Sequence, residues 1–121
     1  MKITQDQISG SPGYGISKSE LMTVWRLIPH DWNHGVRVIR LCNQLHTPEV
    51  ARYSAYSSRL TIFPRGRSRR TIIIKVLEEL ASWPHPFDKL SADQKTLLSN
   101  QISTVVASID RELALAEQGA S

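Results

Sequence analysis

Four arginines fall within six positions of the stretch PRGRSRRTIIIK, and arginine is well suited to binding phosphate. Its planar guanidinium makes paired, charge-assisted hydrogen bonds to phosphate oxygens. The stretch leads into an apolar helical segment, and a helix N-terminus offers free N–H groups and a positive dipole end. Arginines at this end oppose the dipole, and a bound anion would remove that conflict. The four residues are Arg65, Arg67, Arg69 and Arg70.

The charge distribution extends this basic set across the middle of the chain. Residues 26–75 hold ten Lys and Arg against two acidic residues, whereas residues 76–121 hold three against seven. The sequence therefore predicts a surface that binds a polyanion, either nucleic acid or an acidic protein partner. Alternatively, the arginines pair with the acidic C-terminal part of the chain, or two such faces meet in an oligomer. The predicted surface adds four arginines, Arg37, Arg40, Arg52 and Arg59, and three aromatic residues that could stack on bases, Tyr53, Tyr56 and Phe63.

A second pattern that could do chemistry is HDWNH, residues 30–34. On a helix, His30 and His34 would share one face, with Asp31 placed as a general base beside a bound metal. This spacing gives an alternative hypothesis, a metal-dependent hydrolase. Pro29 and Gly35 leave only about one helical turn for the motif, so the competing interpretation is a polar turn.

The segment EELAS, residues 78–82, lies on the apolar helix after the arginines. With the elements before it, from residue 17 to residue 83, it resembles a compact zincin-type metallopeptidase domain. The resemblance implies a leading helix, a small sheet with an edge hairpin and then an active-site helix. Glu79 matches the general base of the H-E-x-x-H motif, but Glu78 and Ser82 replace both metal-binding histidines. The resemblance therefore implies a zincin-like scaffold without its metal.

Three helices are needed to position these groups. Ser17 and Glu20 form a capping box for a helix at 18–27, which Pro29 ends. Ser68 is the expected N-cap of a central helix at 69–83, whose apolar residues cover more than one face and predict burial on two sides. Ser91 and Gln94 cap a last helix that runs to about residue 116.

The last helix carries a continuous apolar stripe, and the stripe has two interpretations. It packs on the central helix of the same chain, or it pairs with a second copy and makes the protein a homodimer. The stripe consists of Leu98, Ile102, Val105, Ile109 and Leu113.

Three strands are predicted at residues 36–42, 49–56 and 59–64, and the last two form an antiparallel hairpin. The predicted fold class is α+β: an N-terminal helix, a small three-stranded sheet with a hairpin, a buried central helix and a long C-terminal helix. Residues 1–15 are expected to form a flexible arm, residues 16–118 a single domain and residues 119–121 a frayed tail.

Composition narrows the class of protein further. The chain has 121 residues and one cysteine, Cys42, so an internal disulfide is excluded. No apolar run is long enough to span a membrane, and the first 15 residues lack an apolar leader, so a cytoplasmic location is expected. No P-loop or dinucleotide fingerprint indicates a cofactor. The sequence thus favours a non-enzymatic binding module, with the hydrolase and a purely structural homodimer as alternatives.

Overall fold

The structure, a computed structural model, describes residues 1–119. Within them, three helices and four strands confirm the α+β class. Two single turns of 3-10 helix, His30–Trp32 and Phe87–Lys89, lie in the connections. The main elements in chain order are β1 (Lys2–Gln5), α1 (Lys18–Leu27), β2 (Val38–Leu41), β3 (Ala51–Ser54), β4 (Arg59–Ile62), α2 (Arg69–Ser82) and α3 (Ala92–Gly119).

The sheet has the strand order β1-β2-β4-β3. Strands β1, β2 and β4 are parallel, and β3 pairs with β4 in the predicted antiparallel hairpin. The prediction of a three-stranded sheet is wrong, because residues inside the predicted arm form β1 at one edge. This strand, KITQ, has a single apolar residue, Ile3, and it forms because β2 supplies its hydrogen-bond partners.

The rest of the predicted arm, residues 6–15, is held against the sheet. The Tyr14 hydroxyl donates to the carbonyl oxygen of Asp6 at 2.6 Å, and Tyr14 also forms a bridge with Arg65. At the other end of the chain, α3 continues to Gly119. The predicted frayed tail otherwise concerns residues 120 and 121, which lie outside the described residues.

All three helices begin where the capping residues predict. The Ser17 and Glu20 capping box is formed, and the Ser68 side chain accepts from the Thr71 N–H. Ser91 and Gln94 exchange hydrogen bonds of 3.2 Å at the start of α3. The local sequence therefore decides the helix starts.

The helices lie on one side of the sheet. Helix α2 packs on β3, and α3 packs on both α1 and α2. As predicted, α2 is buried on more than one face. The centre of the core consists of side chains that are completely buried: Leu41, Leu60, Ile62, Ile72, Leu77, Leu80 and Ile109. Among residues 1–119, no layer of helices covers the opposite face of the sheet.

Candidate polyanion-binding surface

The strand register shows which residues lie on the uncovered side of the sheet, which we call the open face. Side chains alternate between the two faces of a strand, so Ile39, Leu60 and Tyr53 point to the helices and their neighbours point away. No residue of the open face is buried, whereas Ile39 and Leu60 are at most 1% exposed. The open face consists of Lys2, Thr4, Val38, Arg40, Arg59, Thr61, Arg52 and Ser54.

Half of these side chains are cationic, and the register spaces them apart. Lys2 and Arg59 lie in one row, and Arg40 and Arg52 lie in the next row towards the carboxyl end of β2. Uncharged residues separate the cations within each row, so the nearest cations are diagonal neighbours about 7–8 Å apart at Cα. The face thus presents a regular, well-spaced positive pattern.

One end of the open face is neutralised by carboxylates. Arg40 and Asp6 form an ion pair at 2.8 Å, and Arg52 pairs with Glu49 at 2.5 Å. The hydrogen bond from Arg40 holds the pKa of Asp6 below its ordinary value, although burial opposes it. Arg40 and Arg52 thus lie on the predicted surface with their charges already balanced.

This pair gives a prediction for the pH dependence of stability. Because the pKa of Asp6 is lower in the folded chain than in the unfolded chain, the pair stabilises the fold above about pH 4. This stabilisation disappears as the pH falls through the folded pKa of Asp6. We expect Asp6→Asn to cost up to about 1 kcal/mol of unfolding free energy at neutral pH and less at pH about 2. Urea unfolding at both pH values measures this.

The control for that experiment is Asp88→Asn, because Asp88 is exposed and has no ion pair among residues 1–119. A cost for Asp6→Asn that is equally large at both pH values would contradict the assignment, since the carboxylate charge would then play no part.

At the other end of the open face, Lys2 and Arg59 have no carboxylate partner among residues 1–119, and neither does Arg37, which directly precedes β2. Lys2, Arg37 and Arg59 are exposed, and none forms an ion pair with another residue of the described chain. They sit at the starts of three neighbouring strands: the Lys2 N–H donates to the Arg37 carbonyl at 2.9 Å, and the Arg37 N–H donates to the Ser58 carbonyl at 2.8 Å. We call these three residues the cationic end.

The aromatic residues predicted to join the surface are distributed differently. Tyr53 lies on the core face, where it is 7% exposed and its hydroxyl donates to the His34 carbonyl at 2.7 Å. Phe63 is half-buried just after β4, away from the cationic end. Tyr56, in the turn between β3 and β4, is fully exposed. Only Tyr56 is thus an open ring next to the cationic end.

The arginine loop, residues 65–70, lies at the opposite end of β4, which spans about 13 Å. Arg65 donates to the carbonyl oxygens of Pro12 and Asn43, at 2.9 and 3.0 Å. Arg67 donates to the carbonyl oxygens of Phe63 and Thr47. Both guanidinium groups therefore form hydrogen bonds with loops of their own chain instead of pointing to an external anion.

The other two loop arginines are paired with carboxylates of other helices. Arg69 contacts Glu20 of α1 at 2.5 Å and Glu117 of α3 at 3.0 Å, and Arg70 contacts Asp110 of α3 at 3.2 Å. These carboxylates offset the unfavourable interaction between the two arginines and the positive end of the α2 dipole. The sequence alone suggested a bound anion for this role. The alternative interpretation, pairing with the acidic C-terminal part, thus describes these two residues.

The cation next to Glu20 also affects its ionisation. Burial raises the pKa of Glu20, but hydrogen bonds from Arg69 and Ser17 outweigh burial, so the pKa lies below its ordinary value. Glu20 therefore stays ionised while it both caps α1 and links α1 to α2.

The HDWNH motif does not form the helical histidine pair that the hydrolase hypothesis requires. The 3-10 helix ends at Trp32, and His34 has a φ of 51°, in the left-handed region. His30 is exposed, whereas His34 Nε2 donates to the Leu80 carbonyl at 2.5 Å. Within residues 1–119, no three His, Cys, Asp or Glu side chains are grouped so that they could hold a metal ion.

Glu78 and Glu79, from the segment with the zincin resemblance, line a groove of about 470 Å³ between β3, α2 and residues 83–88. Glu79 accepts the Tyr53 N–H of β3 at 2.8 Å, and Glu78 pairs with Lys75 at 3.2 Å. The Ser82 hydroxyl donates to the carbonyl of Glu78 at 2.8 Å. The resemblance stays a prediction, and all three of these side chains have partners within the chain.

Sequence reasoning missed Lys2, which completes the cationic end. It lies within residues 1–15, whose Gly and Pro content indicated an arm. The short alternation of apolar Met1 and Ile3 with polar Lys2 and Thr4 is the one signal that could have placed it on a strand.

Comparison with protein-family models found no match, and comparisons with curated proteins and with solved structures found none either. No helix among residues 1–119 is long and apolar enough to cross a membrane.

Proposed function

We propose that this protein is a non-enzymatic binding module that engages a polyanion, nucleic acid in particular, through the cationic end of its open face. The observation that carries this proposal is that Lys2, Arg37 and Arg59 lie at the starts of three neighbouring strands, joined by backbone hydrogen bonds, and have no carboxylate partner in the described chain. Six other cationic side chains do have such partners: Arg26, Arg40, Arg52, Arg69, Arg70 and Lys75.

Charge and shape both support a phosphate-bearing ligand. Exposed guanidinium groups pair with phosphate oxygens in two-pronged geometry, and Lys2 adds a third cation on the edge strand. Lys2 and Arg59 lie on the open face, over which no element among residues 1–119 packs, and Arg37 is exposed at the start of β2. An extended ligand can therefore reach all three side chains without a rearrangement of the fold. An acidic protein partner is the alternative ligand for the same charges.

The test is a charge reversal with a matched control. We expect Arg37→Glu/Arg59→Glu to weaken binding of a fluorescein-labelled DNA at least about thirty-fold, because each reversal removes one phosphate contact and adds a repulsion. For the wild type, a plot of log affinity against log salt should have a slope of about −2 to −3, as three phosphate contacts require. Fluorescence anisotropy between 50 and 200 mM salt measures both.

The control is Arg111→Glu/Lys89→Glu, which makes the same change in net charge away from the open face. Both residues are exposed and have no ion pair within the described part of the chain. Equal losses in the two double variants would show that only net charge matters. If the wild type binds no DNA at low salt, the proposed function is wrong.

The proposal includes a cytoplasmic location, where nucleic acid is accessible. The single cysteine, buried Cys42, is consistent with a reducing compartment. Binding of this kind requires no cofactor. Import of a fluorescent fusion into another compartment would contradict the location.

A further inference from the structure

We infer that the ligand is a short single-stranded stretch of nucleic acid, with one base stacked on Tyr56 and its phosphates on the cationic end. This inference rests on the proposed function and specifies the form of the polyanion. It follows from where Tyr56 lies relative to the three unpaired cations.

Tyr56 has its whole ring in solvent, with a relative exposure of 102%. A single exposed tyrosine is ordinary on its own. This one, however, lies in the turn whose Ser58 carbonyl accepts the N–H groups of Arg37 and Val38, at 2.8 and 3.3 Å. Arg59 follows Ser58 directly. The turn that carries Tyr56 is therefore joined by backbone hydrogen bonds to the start of β2, beside the residues that carry two of the three free cations.

A single strand can use both features together, whereas a duplex cannot. Stacking requires the free face of a base, and in a duplex those faces are covered by neighbouring base pairs. In the part of the chain that the structure describes, no helix or protruding two-stranded ribbon lies on the open face to enter a major groove. A cationic track beside an aromatic ring is the arrangement by which proteins hold single strands without reading their sequence.

The neutral end of the open face limits the length of the bound segment. Arg40 and Arg52 already pair with Asp6 and Glu49. A phosphate placed over their row of the open face would therefore gain little binding energy. Three free cations on neighbouring strands, which are about 4.8 Å apart, match two or three nucleotides. The site is therefore small, and preference for a particular base is expected to be weak.

Tyr56→Ala, with Tyr56→Phe as its control, tests this inference. We expect Tyr56→Ala to bind labelled oligothymidylate about ten-fold more weakly than the wild type, and Tyr56→Phe to bind it as the wild type does. The affinity for a duplex of equal length should be weaker than for the single strand and unchanged by either substitution. The salt dependence should also stay the same, because no charge is removed. Since Tyr56 has no packing to lose, both variants should melt at the wild-type temperature.

The outcomes separate this inference from the proposed function. Duplex bound as tightly as the single strand, or single-strand binding unaffected by Tyr56→Ala, would overturn the inference and leave polyanion binding in place. A wild type that binds neither form would overturn the proposed function, and the inference with it.

Discussion

Gly15→Ala is expected to lower the free energy of unfolding by about 2–3 kcal/mol. A Cβ atom at Gly15 would lie 2.1 Å from the carbonyl oxygen of Arg67 and 3.1 Å from Cδ1 of Ile72. The first neighbour is backbone, and it cannot move freely because the Arg67 side chain is itself bonded to the carbonyls of Phe63 and Thr47. The segment before α1 and the arginine loop must therefore move apart.

Gly13→Ala is the matched control in the same segment. A Cβ atom there meets nothing within 4 Å, and Gly13 is not in the left-handed region. Its stability should stay within about 0.5 kcal/mol of the wild type. Urea unfolding of the two variants gives the comparison directly. Equal stability of Gly15→Ala and Gly13→Ala would mean that the close approach is not a feature of the folded chain.

The second large effect is expected for Ile109→Ala, at about 3 kcal/mol of lost unfolding free energy. Ile109 is completely buried in the part of α3 that packs on α1 and α2, so truncation leaves a cavity in the core. Leu115→Ala on the same helix is the control, because Leu115 is 55% exposed and should cost at most about 0.5 kcal/mol.

This comparison also addresses the homodimer that the stripe on α3 suggests as an alternative. Three residues of the stripe, Ile102, Ile109 and Leu113, are buried within the chain, as is the neighbouring Val106, so packing within the chain covers most of the stripe. We therefore expect the unfolding midpoint to be independent of protein concentration. A midpoint that rises with concentration, or a larger cost for Leu115→Ala than for Ile109→Ala, would favour helix pairing between copies.

The fold was predictable from the sequence wherever local patterns decide it. Ser17 with Glu20 and Ser91 with Gln94 identify helix starts because their hydrogen bonds close within four residues. Strand β1 was not predictable in this way. Its hydrogen bonds go to β2, more than thirty residues away, and a four-residue edge strand with one apolar side chain carries little pattern.

The candidate site was predictable only in its composition, because the sequence shows which residues are cationic but not which carboxylates they meet. Arg59 and Arg69 look alike in the sequence, yet Arg69 meets Glu20 and Glu117 across the fold while Arg59 meets no acid in the described chain. Likewise, Tyr53 and Tyr56 are only three positions apart in the sequence. The strand register places Tyr53 on the core face of β3 and Tyr56 in the turn after it.

The edge position of β1 has a thermodynamic consequence for binding. Short edge strands open locally at less cost than the whole fold unfolds. When β1 detaches, Lys2 leaves with it, while Arg37 and Arg59 remain on the body of the sheet. A ligand that contacts all three residues binds the closed form more tightly, and by linkage it suppresses the opening. Occupancy of the site and protection of the β1 amides against hydrogen exchange should therefore rise together.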